Sequence, residues 1–192
     1  MKGSAHPRHR ELSLLAQGLW PLARAWNGVA YRFVAKGKDN PVEVLSGAGS
    51  FNNGGRWNAP GALRAVYAST TPEAATTESL AYFRYYGFRE EDAMPRTVLA
   101  LEFNLNKILD LTDSKMRRGL RILLKEITHE DWRKLQDAGK ESLTQAIGRA
   151  VYSAGFEGMI VPSVHVRKGV NVVFFPENQI TTSIARVYRK RP

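Results

Sequence analysis

The chain predicts a single α+β domain, and three observations carry that reading. Its 192 residues are enough to bury a sizeable core, and 43% hydrophobic with 24% charged residues is ordinary for a globular protein. Strand-like and helix-like stretches are mixed without the strict βαβ alternation that builds a doubly wound sheet. No internal repeat, low-complexity tract or domain-scale linker divides the chain.

Residues 9–26 pattern as an amphipathic helix, or as two short ones divided near Pro21. GVAYRFV, Gly28–Val34, reads as a strand. SFNNGGRWNAPG, Ser50–Gly61, follows no helix or strand period and reads as a loop, with glycine and asparagine tolerating positive φ. LRAVYAST, Leu63–Thr70, is a second strand that runs directly into a helix. That helix, TPEAATTESLAYFRYYG, has Thr70 or Thr71 to cap it, Pro72 in its first turn and Gly87 as its stop. RTVLALEFNL, Arg96–Leu105, alternates Val98, Ala100 and Glu102 with Leu99, Leu101 and Phe103, a strand with one drier face. From Ser114 to Gly155 the pattern turns helical and charged. It closes on an apolar stripe of Leu143, Ala146, Ile147, Ala150, Val151 and Ala154. GMIVPSV, GVNVVFF and TTSIARVYR then read as three strands.

Composition narrows the chemistry. Cysteine is absent, which removes a disulfide framework, a thiolate metal site and a cysteine nucleophile, and agrees with a reducing cytoplasm. The basic N-terminal stretch lacks a small-residue cleavage pattern and does not read as a signal peptide. No run approaches the roughly 18 apolar residues that span a bilayer, so no membrane association is expected. With 28 Lys+Arg against 18 Asp+Glu, the net charge is +10. Such a charge suits nucleic acid, a phosphate-bearing small molecule or an acidic protein partner, as well as plain solubility. The basic residues gather at the two ends (Arg8, Arg10; Arg186, Arg189, Lys190, Arg191) and around Lys115–Lys125. No zinc-finger, helix-turn-helix or RNA-binding motif accompanies them.

One carboxylate stands out. At 3.6 residues per turn, Glu78 shares a helix face with Ala74, Ala81, Tyr82 and Tyr85, where burial is costly unless the charge is paired or used. On spacing alone it either bonds a core arginine or backbone N–H groups, or serves a site. Arg32 lies inside the apolar AYRFV, and Arg56 and Trp57 sit on the glycine loop. Tyr67 lies in the strand that feeds this helix, Ser163 follows a proline between two apolar runs, and Asn171 interrupts GVNVVFF. Each has a structural alternative: Arg32 on an edge strand, Trp57 and Tyr67 in the core, Ser163 and Asn171 as caps. Together they describe a cleft for a ligand with a flat ring and an anionic group.

YRFV, the GGRWNAPG loop, AVYAS, a glutamate on the next helix, and VPS with an asparagine eight residues later resemble the RES domain family. This is the toxin half of bacterial RES–Xre toxin–antitoxin pairs. The resemblance runs from about Val29 to Pro176, which divides the chain into an N-terminal helical extension, residues 1–25, and a RES domain, residues 26–192. It implies an ADP-ribosyltransferase-like fold, a mixed or antiparallel β-core flanked by helices. It implies NAD+ as a substrate, with no cofactor or metal; no GxGxxG is present for a hydride carrier. The implied catalytic residues are Glu78, Arg56 and Ser163, and the implied NAD+-binding residues are Arg32, Arg56, Trp57, Tyr67 and Asn171. Glu78 would stabilise an oxocarbenium-like ribose as nicotinamide leaves, with Ser163 orienting the carboxylate or the sugar. Water, phosphate or a protein side chain would accept the ADP-ribose, giving a glycohydrolase, a phosphorylase or an ADP-ribosyltransferase with a cellular protein acceptor. An Xre-like antitoxin is the implied partner, and direct nucleic-acid binding is not expected. The alternative class is a basic nucleic-acid-binding module without catalysis. A catalytically dead interaction protein is disfavoured because Glu78, Arg56 and Tyr67 all stand in the family pattern.

Overall fold

Two long antiparallel strands frame the molecule. The computed structural model describes residues 4–188; Arg189, Lys190 and Arg191 of the basic tail lie outside the described residues. In chain order these form α1 (His9–Gly18), β1 (Arg24–Ala35), α2 (Pro41–Leu45), α3 (Ala48–Asn53), β2 (Val66–Ser69) and α4 (Pro72–Tyr85). Next come β3 (Arg96–Asp110), α5 (Ser114–Gly119), α6 (Leu124–His129), α7 (Trp132–Asp137) and α8 (Leu143–Ser153). The chain closes with β4 (Gly158–Pro162), β5 (Val170–Phe174) and β6 (Ile184–Val187).

β1 pairs with β3 from Ala35↔Arg96 to Arg24↔Ile108. Its other neighbour is β2, through Tyr31↔Ser69. β2 pairs with β5, β5 with β4, and β4 runs parallel to β3, so the pairing returns to its starting point. β6 adds to β3 along Leu101–Asn104. The sheet is therefore mixed, with one parallel pair among antiparallel ones.

Alternation along the strands feeds two cores. Val66, Ala68, Phe103, Ile108, Ile160, Val172 and Phe174 fill the space enclosed by the sheet. Met159, Val161, Val173 and Phe175 point the other way, against Ala146, Ile147, Ala150 and Val151 of α8. β4 and β5 are buried on both faces, hence their continuous apolar runs. Leu12, Ala16 and Leu19 join the α8 core, so the N-terminal helix is packed on the body of the domain.

Several boundaries differ from the sequence reading. The helical pattern of residues 9–26 stops at Gly18, passes through a 3-10 turn at Trp20–Leu22 and gives way to β1 at Arg24. Pro21 cannot continue a helix, and ladder pairing with β3 together with the Arg24–Asp110 ion pair claims the following residues. β3 runs five residues past Leu105 for the same reason. α3 takes Ser50–Asn53, so the loop proper starts at Gly54, and Leu63–Ala65 precede β2 as irregular backbone. α4 is as expected: Thr71 accepts a hydrogen bond from Ala74 N at 3.2 Å and Gly87 follows at φ 72°.

One close approach ties α8 to the loop. A Cβ on Gly148 would lie 1.8 Å from the Trp57 carbonyl oxygen. Helix propensity alone predicts that Gly148→Ala stabilises the protein by roughly 1 kcal/mol. The contact predicts the reverse, an overpacking cost of about 1–3 kcal/mol, seen as a lower midpoint in chemical unfolding. A raised midpoint would show that the loop yields freely.

Candidate active site

The loop after α3 is a tight turn. Gly55 N donates to Asn58 O at 2.8 Å and Asn58 N returns a bond to Gly55 O at 3.3 Å, leaving Arg56 and Trp57 at its tip. Asn58 is fully buried: its Nδ2 donates to Ser50 O at 2.7 Å, and its Oδ1 accepts from the Tyr67 hydroxyl at 2.6 Å. That hydroxyl also accepts from Trp57 N at 3.0 Å. Burial pushes the Tyr67 pKa well above its ordinary value, so the proton that bonds Asn58 stays in place. Gly55 is required here because a Cβ would fall 2.6 Å from the Tyr67 hydroxyl oxygen. The glycine thus serves packing inside the protein.

The two tip residues have separate tasks. Trp57 is only 3% exposed and its ring packs in the core under α8. It also lines the cleft, but this burial leaves little of the ring open to a ligand. The burial follows from anchoring a glycine-rich turn, which has little apolar surface of its own to bury. Arg56 faces the cleft, with Nη1 donating to the carbonyls of Ile127 at 3.2 Å and Glu130 at 3.3 Å, at the end of α6. Neutral acceptors hold it in place and leave its charge uncompensated. Burial lowers its pKa from the usual arginine value, and the field of Glu78 opposes this.

Glu78 lies at the centre of a hydrogen-bonded chain. Its Oε1 accepts from Ser163 Oγ at 2.5 Å and from Asn171 Nδ2 at 2.8 Å. Asn171 is held in that orientation because its Oδ1 accepts from Ser69 Oγ at 2.7 Å. Ser163 Oγ in turn accepts from the backbone N–H groups of His165 and Val166, at 3.2 and 3.0 Å. The sheet brings these together: Ser69 ends β2, Asn171 is its register partner in β5, and Ser163 follows β4. Among the described residues no arginine lies within ion-pair distance of Glu78. Only His165 Nε2 approaches Oε2, at 3.8 Å. The core-arginine alternative is therefore not what the structure contains. Tyr82 and Tyr85, expected on the Glu78 face, are 51% and 42% exposed, and Tyr82 lines the cleft, while Ala74 and Ala81 are buried.

α4, the turn, α7 and the ends of β2, β4 and β5 enclose a cavity of about 350 Å³. Arg32 of β1 lines it with Nη1 buried and without a hydrogen-bond partner, and burial lowers its pKa. An unpaired buried guanidinium nitrogen is costly and marks a place for an anion. The cavity thus gathers Glu78, Arg56, Arg32, Tyr67 and Asn171, with Ser163 bonded to its carboxylate. The sequence reading missed Ser69, which ends the quoted AVYAS, and His165, two residues past VPS. It also missed Arg133 of α7, inside a stretch read only as charged helix. His165 is kept below its ordinary pKa by burial and by the nearby arginines, against the pull of Glu78. That direction favours the neutral imidazole, which does not cancel the carboxylate. Among the described residues, no three His, Asp or Glu side chains converge as a metal site, and no helix is long and apolar enough to cross a membrane.

The arrangement suits a dinucleotide whose phosphates meet guanidinium groups and whose sugar meets one braced carboxylate. The NAD(+) phosphorylase MbcT of Mycobacterium bovis and that of Mycobacterium tuberculosis are each 25% identical over 140 residues, 72% of this chain and 68% of theirs. The crystal structure of the M. tuberculosis MbcT–MbcA toxin–antitoxin complex contains a chain with the same fold. It has a TM-score of 0.70 at 22% identity, covering 93% of this chain and 89% of that one. The mixed α+β architecture is thus shared with that chain. The RES domain model matches residues 29–189, most of the chain, and the protein belongs to the RES domain family.

Proposed function

We propose that this protein is the toxin of a toxin–antitoxin pair and consumes NAD+ by cleaving its nicotinamide–ribose bond. The observation that carries this reading is Glu78, a carboxylate braced by neutral donors in a cleft where Arg32, Arg56 and Arg133 supply the opposite charge. NAD+ carries a diphosphate, which Arg32 and Arg56 bind by charge-assisted hydrogen bonds. Tyr67 presents a ring to the cleft. As nicotinamide leaves, the ribose carbon gains positive charge, and Glu78 stabilises it. Ser163 and Asn171 hold Oε1 and so fix the carboxylate against the sugar; they are positioning residues.

Phosphate is the acceptor we favour, in keeping with the name of the mycobacterial relatives. The antitoxin is of the Xre-like type that pairs with this family, and the site of action is the cytoplasm. A nucleic-acid module is the weaker reading, because the Trp57 ring it would use for stacking lies in the core. NAD+ labelled in its adenylate half, incubated with the protein with and without phosphate and cell extract, tests the scheme. ADP-ribose 1″-phosphate marks phosphorolysis, free ADP-ribose hydrolysis, and label on a protein band transfer. Intact NAD+ in every condition would sink the reading.

Glu78→Gln separates chemistry from packing. The amide oxygen can keep both bonds from Ser163 and Asn171, while the charge is gone. We expect kcat to fall about 100- to 1,000-fold, roughly 2.7–4 kcal/mol, the scale of one preorganised electrostatic contact. Thermal stability should hold or rise, since a partly buried charge has been removed. A destabilised but fully active variant would refute the catalytic role. Expression of the wild-type chain alone should arrest bacterial growth, and Glu78→Gln should restore it.

Arg56→Lys keeps the charge but loses the planar fork and the double tether to Ile127 and Glu130. NAD+ KM should rise by the equivalent of roughly 1–3 kcal/mol. Unchanged KM and toxicity would assign the turn another purpose.

A further inference from the structure

We propose that Arg133 is the binding residue for the acceptor, inorganic phosphate, beside Glu78, and that it sets phosphorolysis over hydrolysis. This rests on the NAD+-cleaving reading above. Arg133 projects from α7 into the same cavity, and its Nε is buried without a hydrogen-bond partner. Its guanidinium carbon lies 4.6 Å from the centre of the Trp132 ring and 5.1 Å from that of Tyr85. The carboxylate next to it in sequence, Asp131, is committed elsewhere. Asp131 Oδ1 accepts from Lys134 N at 3.1 Å and from the Tyr85 hydroxyl at 3.2 Å. Among the described residues Arg133 forms no ion pair. A guanidinium held between two rings, partly desolvated and without a counter-ion, is preorganised for an oxyanion.

Its position favours the acceptor over the diphosphate. Arg133 packs on the ring of Tyr85, which belongs to α4, the helix that carries Glu78, whereas Arg32 enters the cavity from β1. Arg133 therefore stands on the α4 side of the cavity, the side of the carboxylate beside which the ribose carbon must react. Water arriving there needs no cation. A phosphate dianion arriving beside a carboxylate meets like-charge repulsion, which grows as water is excluded, and cations must offset it. Arg56 and Arg133 line the cavity together with Glu78 and can do so.

The step balances without a further reactant. An oxygen lone pair of HPO4²⁻ forms the bond to the ribose carbon as the bond to nicotinamide breaks. That bond's electron pair goes to the pyridinium nitrogen, so nicotinamide leaves neutral. The acceptor becomes a monoanionic hydrogen-phosphate ester, and no proton has to move.

Steady-state cleavage by Arg133→Gln and Arg133→Lys, with phosphate and NAD+ varied separately, tests this. Both KM values are independent of the fraction of protein that is folded. For Arg133→Gln we expect the phosphate KM to rise roughly 10- to 100-fold, the range for one charged hydrogen bond, with NAD+ KM moving far less. At fixed phosphate, products should shift from ADP-ribose 1″-phosphate toward ADP-ribose, and Arg133→Lys should recover part of the loss. An unchanged phosphate KM overturns the proposal, as does an equal rise in NAD+ KM, which would put Arg133 on the diphosphate. NAD+ cleavage by the wild type that ignores phosphate sinks this proposal alone. No cleavage under any condition sinks the underlying reading as well.

Discussion

The carboxylate of Glu78 must be held firmly and must also stay charged, and the way this is done shapes the rest of the site. A salt bridge would satisfy the first requirement but spend the charge on the protein itself. Instead, two neutral donors converge on Oε1, and Oε2 has no hydrogen bond among the described residues. Neutral hydrogen bonds orient a carboxylate while leaving its field available to a developing cation. This arrangement demands that β2, β4 and β5 be in register, since each contributes one member of the chain at or beside its end. The closed pairing of the sheet is what keeps those ends together.

The arginines follow the same logic with the sign reversed. Arg56 is tethered by carbonyl oxygens, Arg32 has a nitrogen with no partner, and Arg133 is flanked by aromatic rings. None is neutralised by a carboxylate, so the cavity remains positive. Outside the cleft, part of the +10 charge is also bound to backbone: Arg8 reaches Leu120 O and Arg117 reaches Leu111 O. These side chains stitch loops together.

The glycine-rich turn shows how stability and site are coupled. Trp57 and Arg56 are neighbours that point to opposite duties, one into the core and one into the cleft. The core contact fixes the turn, and Gly148 lets α8 press against its backbone. A turn with so little apolar surface would otherwise wander, and a guanidinium on a wandering turn loses most of its directional value.

Much of this was legible from the chain. The α4 helix with its Thr71 cap and Gly87 stop, the doubly buried runs of β4 and β5, the α8 stripe and the isolated carboxylate at Glu78 all come from short-range patterns. So does the grouping of arginine, tyrosine, serine and asparagine motifs. The extents of β1 and β3, the burial of Trp57, the pairing of Ser69 with Asn171, and the arrival of His165 and Arg133 at the cavity came from the tertiary structure alone. Helix periodicity, caps and turn chemistry act over a few residues and can be read locally. Strand register and the identity of a side chain's partner are settled by burial and hydrogen bonding between distant segments, such as Ser69 and Asn171, 102 residues apart, which no local pattern records.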